Sequence, residues 1–334
     1  NFTPVLKSLI EYSHIDEIDD RRDTSSAQTV YEQLAFGVIP YKQLLQQGIA
    51  FDDKKFIIDR ISATNVFNNI KLGRYRDVVI SGGIASGKTF WLLQLASAYH
   101  NDGARVFWVT NTRFLDQDLA QLANLDERIV VFFDGFAPIT SEILSFLRNR
   151  KPVHSVILAE REATFDLVSP QIDELLRLNS TAEIILDKLE HDECASLDAL
   201  LNFSGLWGEK AGMPARYRVS YIQNELDASL YRLLLEIVKS DKVRLDIKNL
   251  LQPLEVNNEV LKIFVTAFIV NVMGLNFWIR DWQSLAGTDV IRTLIRDSAD
   301  HVRHFLVVSK SAITPRAGVL SAYMLREFVD NNTI

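Results

Sequence analysis

The sequence predicts an α/β fold, a parallel five-stranded sheet flanked by helices and followed by a helical half. Three observations predict it. Five short apolar runs, Asp77 to Ile80, Arg105 to Thr110, Ile129 to Phe133, Ser155 to Leu158 and Ala182 to Leu186, alternate with helix-length stretches. Their richness in Val, Ile and Phe marks strands buried on both faces, and the spacing is that of parallel strands joined by crossovers. After about residue 190 the period becomes helical, as in Leu226, Leu230, Leu233, Leu234 and Ile237, with no further strong strand run until Phe305 to Val308.

In chain order, residues 1–70 read as helices and loops, with a polar charged stretch from Asp16 to Ser26 as a flexible connection. Residues 71–190 carry the sheet, which should bind its ligand at the carboxyl ends of the strands. Residues 191–256 read as a helical arm. Residues 257–334 hold the last strand run and a final helix from about Gly318 to Phe328, with Val319, Leu320, Tyr323, Met324 and Phe328 on one face. The opening Asn1-Phe2-Thr3-Pro4 has no initiator methionine and no signal segment, so the chain is expected to be a piece of something longer.

Composition narrows the function classes. With 48% hydrophobic and 24% charged residues over 334 positions, the chain reads as an ordinary globular protein of two or three compact units. Its 43 acidic against 36 basic residues give a net charge of -7, which argues against nucleic acid as a partner. A single cysteine, Cys194, rules out an internal disulfide framework and a multi-cysteine metal site, and fits a reducing, cytoplasmic setting. The 17 uncharged residues from Ile263 to Ile279 approach the length of a membrane span. Asn271, Gly274 and Asn276 interrupt them, and Lys262 and Arg280 bracket them closely, so a buried helix is expected and no membrane partner. The five tryptophans read as core residues, and the six histidines show no paired metal spacing.

The chemistry lies at the end of the first run. Ser81-Gly82-Gly83-Ile84-Ala85-Ser86-Gly87-Lys88-Thr89-Phe90 fits G-x-x-x-x-G-K-[ST] between a strand and a helix. Glycines let the backbone turn so that its N–H groups surround phosphates, and the following helix adds its positive end. Residues Gly82, Gly83, Ile84, Ala85, Ser86, Gly87, Lys88, Thr89 and Phe90 are therefore the candidate nucleotide-binding set. Lys88 should reach the β and γ phosphates, and Thr89 should ligate magnesium. The run Ile129 to Phe133 ends in Asp134, the expected second magnesium anchor, against the plainer reading of an aspartate capping the next helix. Gly135-Phe136-Ala137-Pro138 offers no acidic residue beside it, so turnover should be slow. Glu160 and Glu162 could substitute, or be solvated strand-end charges. Arg161 between them could sense the γ-phosphate through its planar fork, or form a surface salt bridge.

Gly82 to Thr89, the strand ending Asp134-Gly135-Phe136, the strand ending Ala159-Glu160-Arg161 and the helical tail together resemble the signal-transduction ATPases with numerous domains, the STAND NTPases. The segment Thr314-Pro315-Arg316-Ala317-Gly318-Val319-Leu320-Ser321-Ala322-Tyr323-Met324-Leu325 is similar to their winged-helix end, and more narrowly to a prokaryotic clade of antiviral defence proteins. The resemblance implies ATPase core, helical arm and winged helix, holding ADP when closed and self-associating when a sensor binds its trigger. It also implies effector and sensor domains outside this chain. A winged-helix histidine touches the β-phosphate in many relatives; here Arg316 or His304 stands nearest in alignment. Two other readings stay open: an AAA-like remodelling or nucleic-acid motor, and a P-loop small-molecule kinase, for which no arginine-rich lid is evident.

Overall fold

The computed structural model describes residues 6–12, 26–39, 58, 60–177, 180–252, 258–275, 277, 279–287, 291, 300–308 and 313–327. The stretch 16–25, Trp278 and Phe328 fall outside them. The chain forms two compact units, Asn1–Asp23 with Pro40–Ser196, and Thr24–Ile39 with Leu197–Ile334.

The first unit is built on a six-stranded sheet of β1 (Leu9–Glu11), β2 (Asp77–Gly82), β3 (Arg105–Val109), β4 (Ile129–Asp134), β5 (Ser155–Arg161) and β6 (Thr181–Ile185). The order across the sheet is β1-β3-β4-β5-β2-β6. β2 to β6 are parallel and match the five apolar runs, while β1 pairs antiparallel with β3. The five parallel strands expected are thus present, and β1 adds an antiparallel edge strand to them. Leu9-Ile10-Glu11 is too short to show a period of two, and its place is set by partners about a hundred residues away. The Asp118 carboxylate accepts the N–H groups of Lys7 and Ser8 at 2.8 and 2.6 Å, and Arg105 forks onto Glu11 at 2.9 and 3.0 Å.

Between the strands run α2 (Ile61–Lys71), ahead of β2, then α3 (Lys88–Asn101), α4 (Leu115–Ala123), α5 (Thr140–Asn149) and α6 (Glu162–Arg177), numbered after α1 (Ser26–Phe36) of the second unit. Both sheet faces are covered, which is why the strands read as continuous apolar runs. Val79, Phe107, Val131, Phe133, Val156 and Leu158 share a cluster with Leu119, Ile143, Phe146 and Ile172 from α4, α5 and α6. On the other face Trp108 stacks on Phe132 with centroids 5.6 Å apart, and Tyr99 of α3 meets Phe132 edge-on.

The amino end of β2 is pinned by charge. Asp77, fully buried, accepts both terminal nitrogens of Arg150 at 2.6 and 2.5 Å and the Val156 N–H at 2.9 Å. A bidentate guanidinium–carboxylate pair supplies enough hydrogen bonds to offset the desolvation of both charges. The strand that ends in the glycine-rich loop is thereby fixed at its far end.

The second unit is helical: α7 (His191–Phe203), which enters it from the first unit, α8 (Ala215–Ser220), α9 (Leu230–Lys239), α10 (Asp241–Leu251), α11 (Asn258–Val272), α12 (Ile279–Ala286), α13 (Asp300–Phe305) and α14 (Gly318–Glu327). A two-stranded antiparallel hairpin, β7 (Leu306–Val308) and β8 (Ile313–Pro315), precedes α14. α1 belongs to this unit: Tyr31 donates to Asp246, and Phe36 lies edge-on to Phe305 at 6.2 Å. Gly37 follows α1 at φ 71, and a Cβ there would lie 2.7 Å from that of Ala317. α11 takes up most of the uncharged stretch, burying Ile263, Phe264, Ala267 and Phe268. No described helix is long and apolar enough to cross a membrane.

Candidate functional site

β2 is buried along its whole length and delivers the chain to Gly82. A side chain has no room there: a Cβ would lie 2.6 Å from the Leu186 carbonyl oxygen and 2.7 Å from Ser86 Oγ. The loop turns through two left-handed positions, Ala85 at φ 56 and Gly87 at φ 91. Glycine adopts this at no steric cost, whereas Ala85 holds it against a penalty of about 1–3 kcal/mol, the kind of strain that concentrates at ligand sites. Gly87 stands at the N-cap of α3 and brings no side chain to the first N–H groups of the helix. Those donors belong to the positive end of the helix macrodipole.

Lys88 opens α3 and folds back over the loop, its Nζ donating to the carbonyls of Gly82 at 2.7 Å and Gly83 at 2.8 Å. Burial pushes its pKa down to about 8, opposed by the Asp134 charge and reinforced by Arg161. Thr89 Oγ1 donates to Asp134 Oδ2 at 2.8 Å, joining the helix start to the tip of β4. Burial pushes the Asp134 carboxyl up from its ordinary range, against the Thr89 hydrogen bond and the charges of Lys88 and Arg161. The side chain stays open to solvent at the strand tip, so water moderates that push. A threonine hydroxyl and a carboxylate this close are the hard oxygen donors that magnesium takes alongside waters and phosphate oxygens. The residues fit the ion.

β5 lies between the two strands that carry these groups. Its register sets Arg161 opposite Gly82, Glu160 opposite Ser81 and Ala159 opposite Asp134. Burial lowers the Arg161 pKa while Glu160 and Asp134 raise it, so the guanidinium belongs to the same electrostatic cluster as Lys88 and Asp134. Glu160 is buried, and its two oxygens accept the N–H groups of Ala137 at 2.9 Å and Arg161 at 2.8 Å. Burial raises its pKa and these two bonds oppose the rise. Glu162, an exposed residue, opens α6, and half-buried Phe90 lies in the first turn of α3. His304 and Arg316 both lie in the second unit. The His304 ring meets Phe36 at 5.8 Å, and the Arg316 N–H donates to the Phe305 carbonyl at 2.9 Å.

Residues 50–172, which take in the loop, Asp134 and Arg161, match the family model described as Novel STAND NTPase 5. Over that stretch the chain is similar to STAND-type P-loop NTPases. Solved structures give fainter likenesses. Hsp104 of S. cerevisiae in complex with casein is 10% identical, covering 69% of this chain and 39% of that one at a TM-score of 0.39. The Aeropyrum pernix ORC1 protein in complex with DNA is 10% identical over 81% of this chain and 94% of that one, at 0.38. The Aeropyrum pernix ORC2 protein is 15% identical over 84% and 96%, at 0.34. TM-scores this low carry no weight for the site. No curated protein matches the chain.

Two residues tied to the loop by hydrogen bonds were passed over by the sequence reading. Arg60, just before α2, is buried and donates from Nη1 to the Ser86 carbonyl of the loop at 2.9 Å and from Nε to Glu193 Oε1 at 3.2 Å. Glu193, also buried, accepts the N–H groups of Ile61 at 2.9 Å and Glu190 at 3.0 Å. Gln94 of α3 accepts the Arg60 N–H at 2.9 Å. No spacing announces them, since the partners of Arg60 are 26 and 133 residues away in the chain.

Proposed function

We propose that the chain is a nucleotide-controlled switch that binds MgATP and MgADP at Gly82–Phe90, hydrolyses ATP slowly, and self-associates according to the nucleotide held. The carrying observation is the hydrogen bond from Thr89 Oγ1 to Asp134 Oδ2 at 2.8 Å, with Lys88 on the adjoining loop and Arg161 on the strand between. Thr89 and Asp134 would hold magnesium, which neutralises charge on the β and γ phosphates when bound. Lys88 exchanges the Gly82 and Gly83 carbonyls for phosphate oxygens, and Arg161 reads the γ-phosphate with its fork.

Slow turnover is supported by the residues beside Asp134. Gly135 follows Asp134, and both oxygens of the nearest buried carboxylate, Glu160, accept backbone N–H groups. Such a site retains nucleotide, which suits a switch better than a motor or a kinase. The resemblance to STAND proteins supports a signalling or antiviral defence role, a helical arm at 191–256, a winged-helix-like part at 257–334, and effector and sensor domains outside this chain, while the single cysteine supports a cytoplasmic setting. The hairpin β7–β8 beside α14 supports the winged-helix reading, in which His304 or Arg316 would touch nucleotide.

Light scattering on the purified chain with MgADP, then with a non-hydrolysable MgATP analogue, tests the switch. A larger particle with the triphosphate is expected. The same mass in both states, with nucleotide bound in both, contradicts it.

A further inference from the structure

The buried ion pair behind the loop joins two parts of the chain that the nucleotide site itself does not. Arg60 reaches forward to the Ser86 carbonyl of the loop, while Glu193 lies in the first turn of α7, the helix that leaves the first unit between Ser196 and Leu197. A trans peptide points its C=O and N–H in opposite directions. Tying the Ser86 carbonyl to Arg60 therefore aims the Gly87 N–H away from Arg60, and fixes one amide that the loop can offer to phosphate. Glu193 in turn fixes the Arg60 guanidinium and accepts the Ile61 and Glu190 N–H groups. Leaving one member of a buried pair unpartnered is strongly unfavourable, so the loop, the start of α2 and the start of α7 move together or separate together.

We propose that Arg60 and Glu193 are positioning residues that couple the shape of the phosphate-binding loop to the seating of helix α7. A nucleoside diphosphate or triphosphate that stiffens the loop then tightens α7, and displacement of α7 loosens the loop. Such coupling is reciprocal by linkage. The inference rests on the nucleotide reading of Gly82–Phe90 and adds to it the route by which nucleotide state reaches the connection between the units.

The chain supplies its own reporter. Its single cysteine, Cys194, is buried beside Glu193 in α7. The full chain is alkylated with a maleimide with and without MgADP, in wild type, Glu193→Gln and Arg60→Lys, and MgADP binding is measured in parallel by equilibrium dialysis. Because each protein is compared with itself, a change in intrinsic thiol reactivity or stability cancels. MgADP should slow wild-type labelling about fivefold or more, the lower range of allosteric couplings, and both variants should lose most of that ratio while binding MgADP more weakly. Arg60→Lys keeps a cation beside Glu193 without the fork, and gives the reading alone if Glu193→Gln does not fold. A variant that keeps the wild-type ratio, or wild type that binds MgADP with no change at Cys194, overturns the coupling. Wild type that binds no MgADP overturns the nucleotide reading, and the coupling with it.

Discussion

Thr89 donates its hydroxyl to the Asp134 carboxylate across 2.8 Å, although 45 residues separate them in the chain. The bond exists because β4 and β2 both end at the same edge of the sheet with β5 between them, and because α3 starts immediately after the loop. Replacing Asp134 by Ala should leave most of the triphosphate binding, which rests on Lys88 and the loop amides. It should lower magnesium-dependent turnover by at least about a hundredfold, the scale on which one electrostatic partner of a transferring group acts. Phosphate release at saturating MgATP measures it, and wild-type turnover in the variant removes Asp134 from the magnesium site.

Glu160 offers a sharper distinction between two roles. Its oxygens accept the Ala137 and Arg161 N–H groups. Glu160→Gln keeps one acceptor and turns an N–H₂ group toward the other donor, so it should destabilise the fold by about 1–3 kcal/mol. A general base would behave otherwise: the variant would melt like wild type and lose turnover. Thermal melting and phosphate release on the same sample separate the two.

The Asp77–Arg150 pair should be costly to break and cheap to replace. Arg150→Met leaves Asp77 buried with the Val156 N–H at 2.9 Å and the more exposed Arg76, its Nε 3.5 Å away, in place of a two-pronged partner, and should cost about 3 kcal/mol in urea unfolding. Asp77→Leu combined with Arg150→Met removes both charges and should recover part of that loss. A double variant less stable than the single one contradicts this account.

How much of this was legible in the sequence depends on the range of the forces involved. β2 to β6 were readable because a strand buried on both faces writes its apolar run locally, and the loop was readable because its residues stand in one stretch. Asp134 was readable as the last residue of such a run. β1, the place of α1 in the second unit, and the Arg60–Glu193 pair were not. Each is fixed by partners far along the chain: Asp118 for Ser8, Asp246 for Tyr31, Ser86 and Glu193 for Arg60. Glu160 was visible as a carboxylate, but whether its oxygens were free or held by backbone depended on the path of the Gly135–Ala137 turn.

His154 should give the fold an acid-sensitive slope. The ring is fully buried, and neither nitrogen makes a well-directed hydrogen bond, though the carbonyls of Ala123 and Leu125 are near. Burial holds its pKa below the ordinary imidazole value. A depressed folded-state pKa means that the contribution is complete above the unfolded value, about 6.5, and is lost as pH falls from there toward the folded value. His154→Leu should flatten the fall in melting temperature below about pH 6.5, and an unchanged slope in the variant would assign the acid sensitivity elsewhere.

The central claim, a nucleotide-retaining P-loop, is tested most directly by single-turnover incubation of the purified chain with labelled MgATP. Retained nucleotide and released phosphate are followed together, with Lys88→Ala as the control. The account predicts nucleotide that stays with the wild-type chain through a gel-filtration column and turnover well below the ordinary enzymatic range of about 1–1,000 per second, both reduced in Lys88→Ala. Rapid multiple turnover, or equal retention by Lys88→Ala, would contradict it.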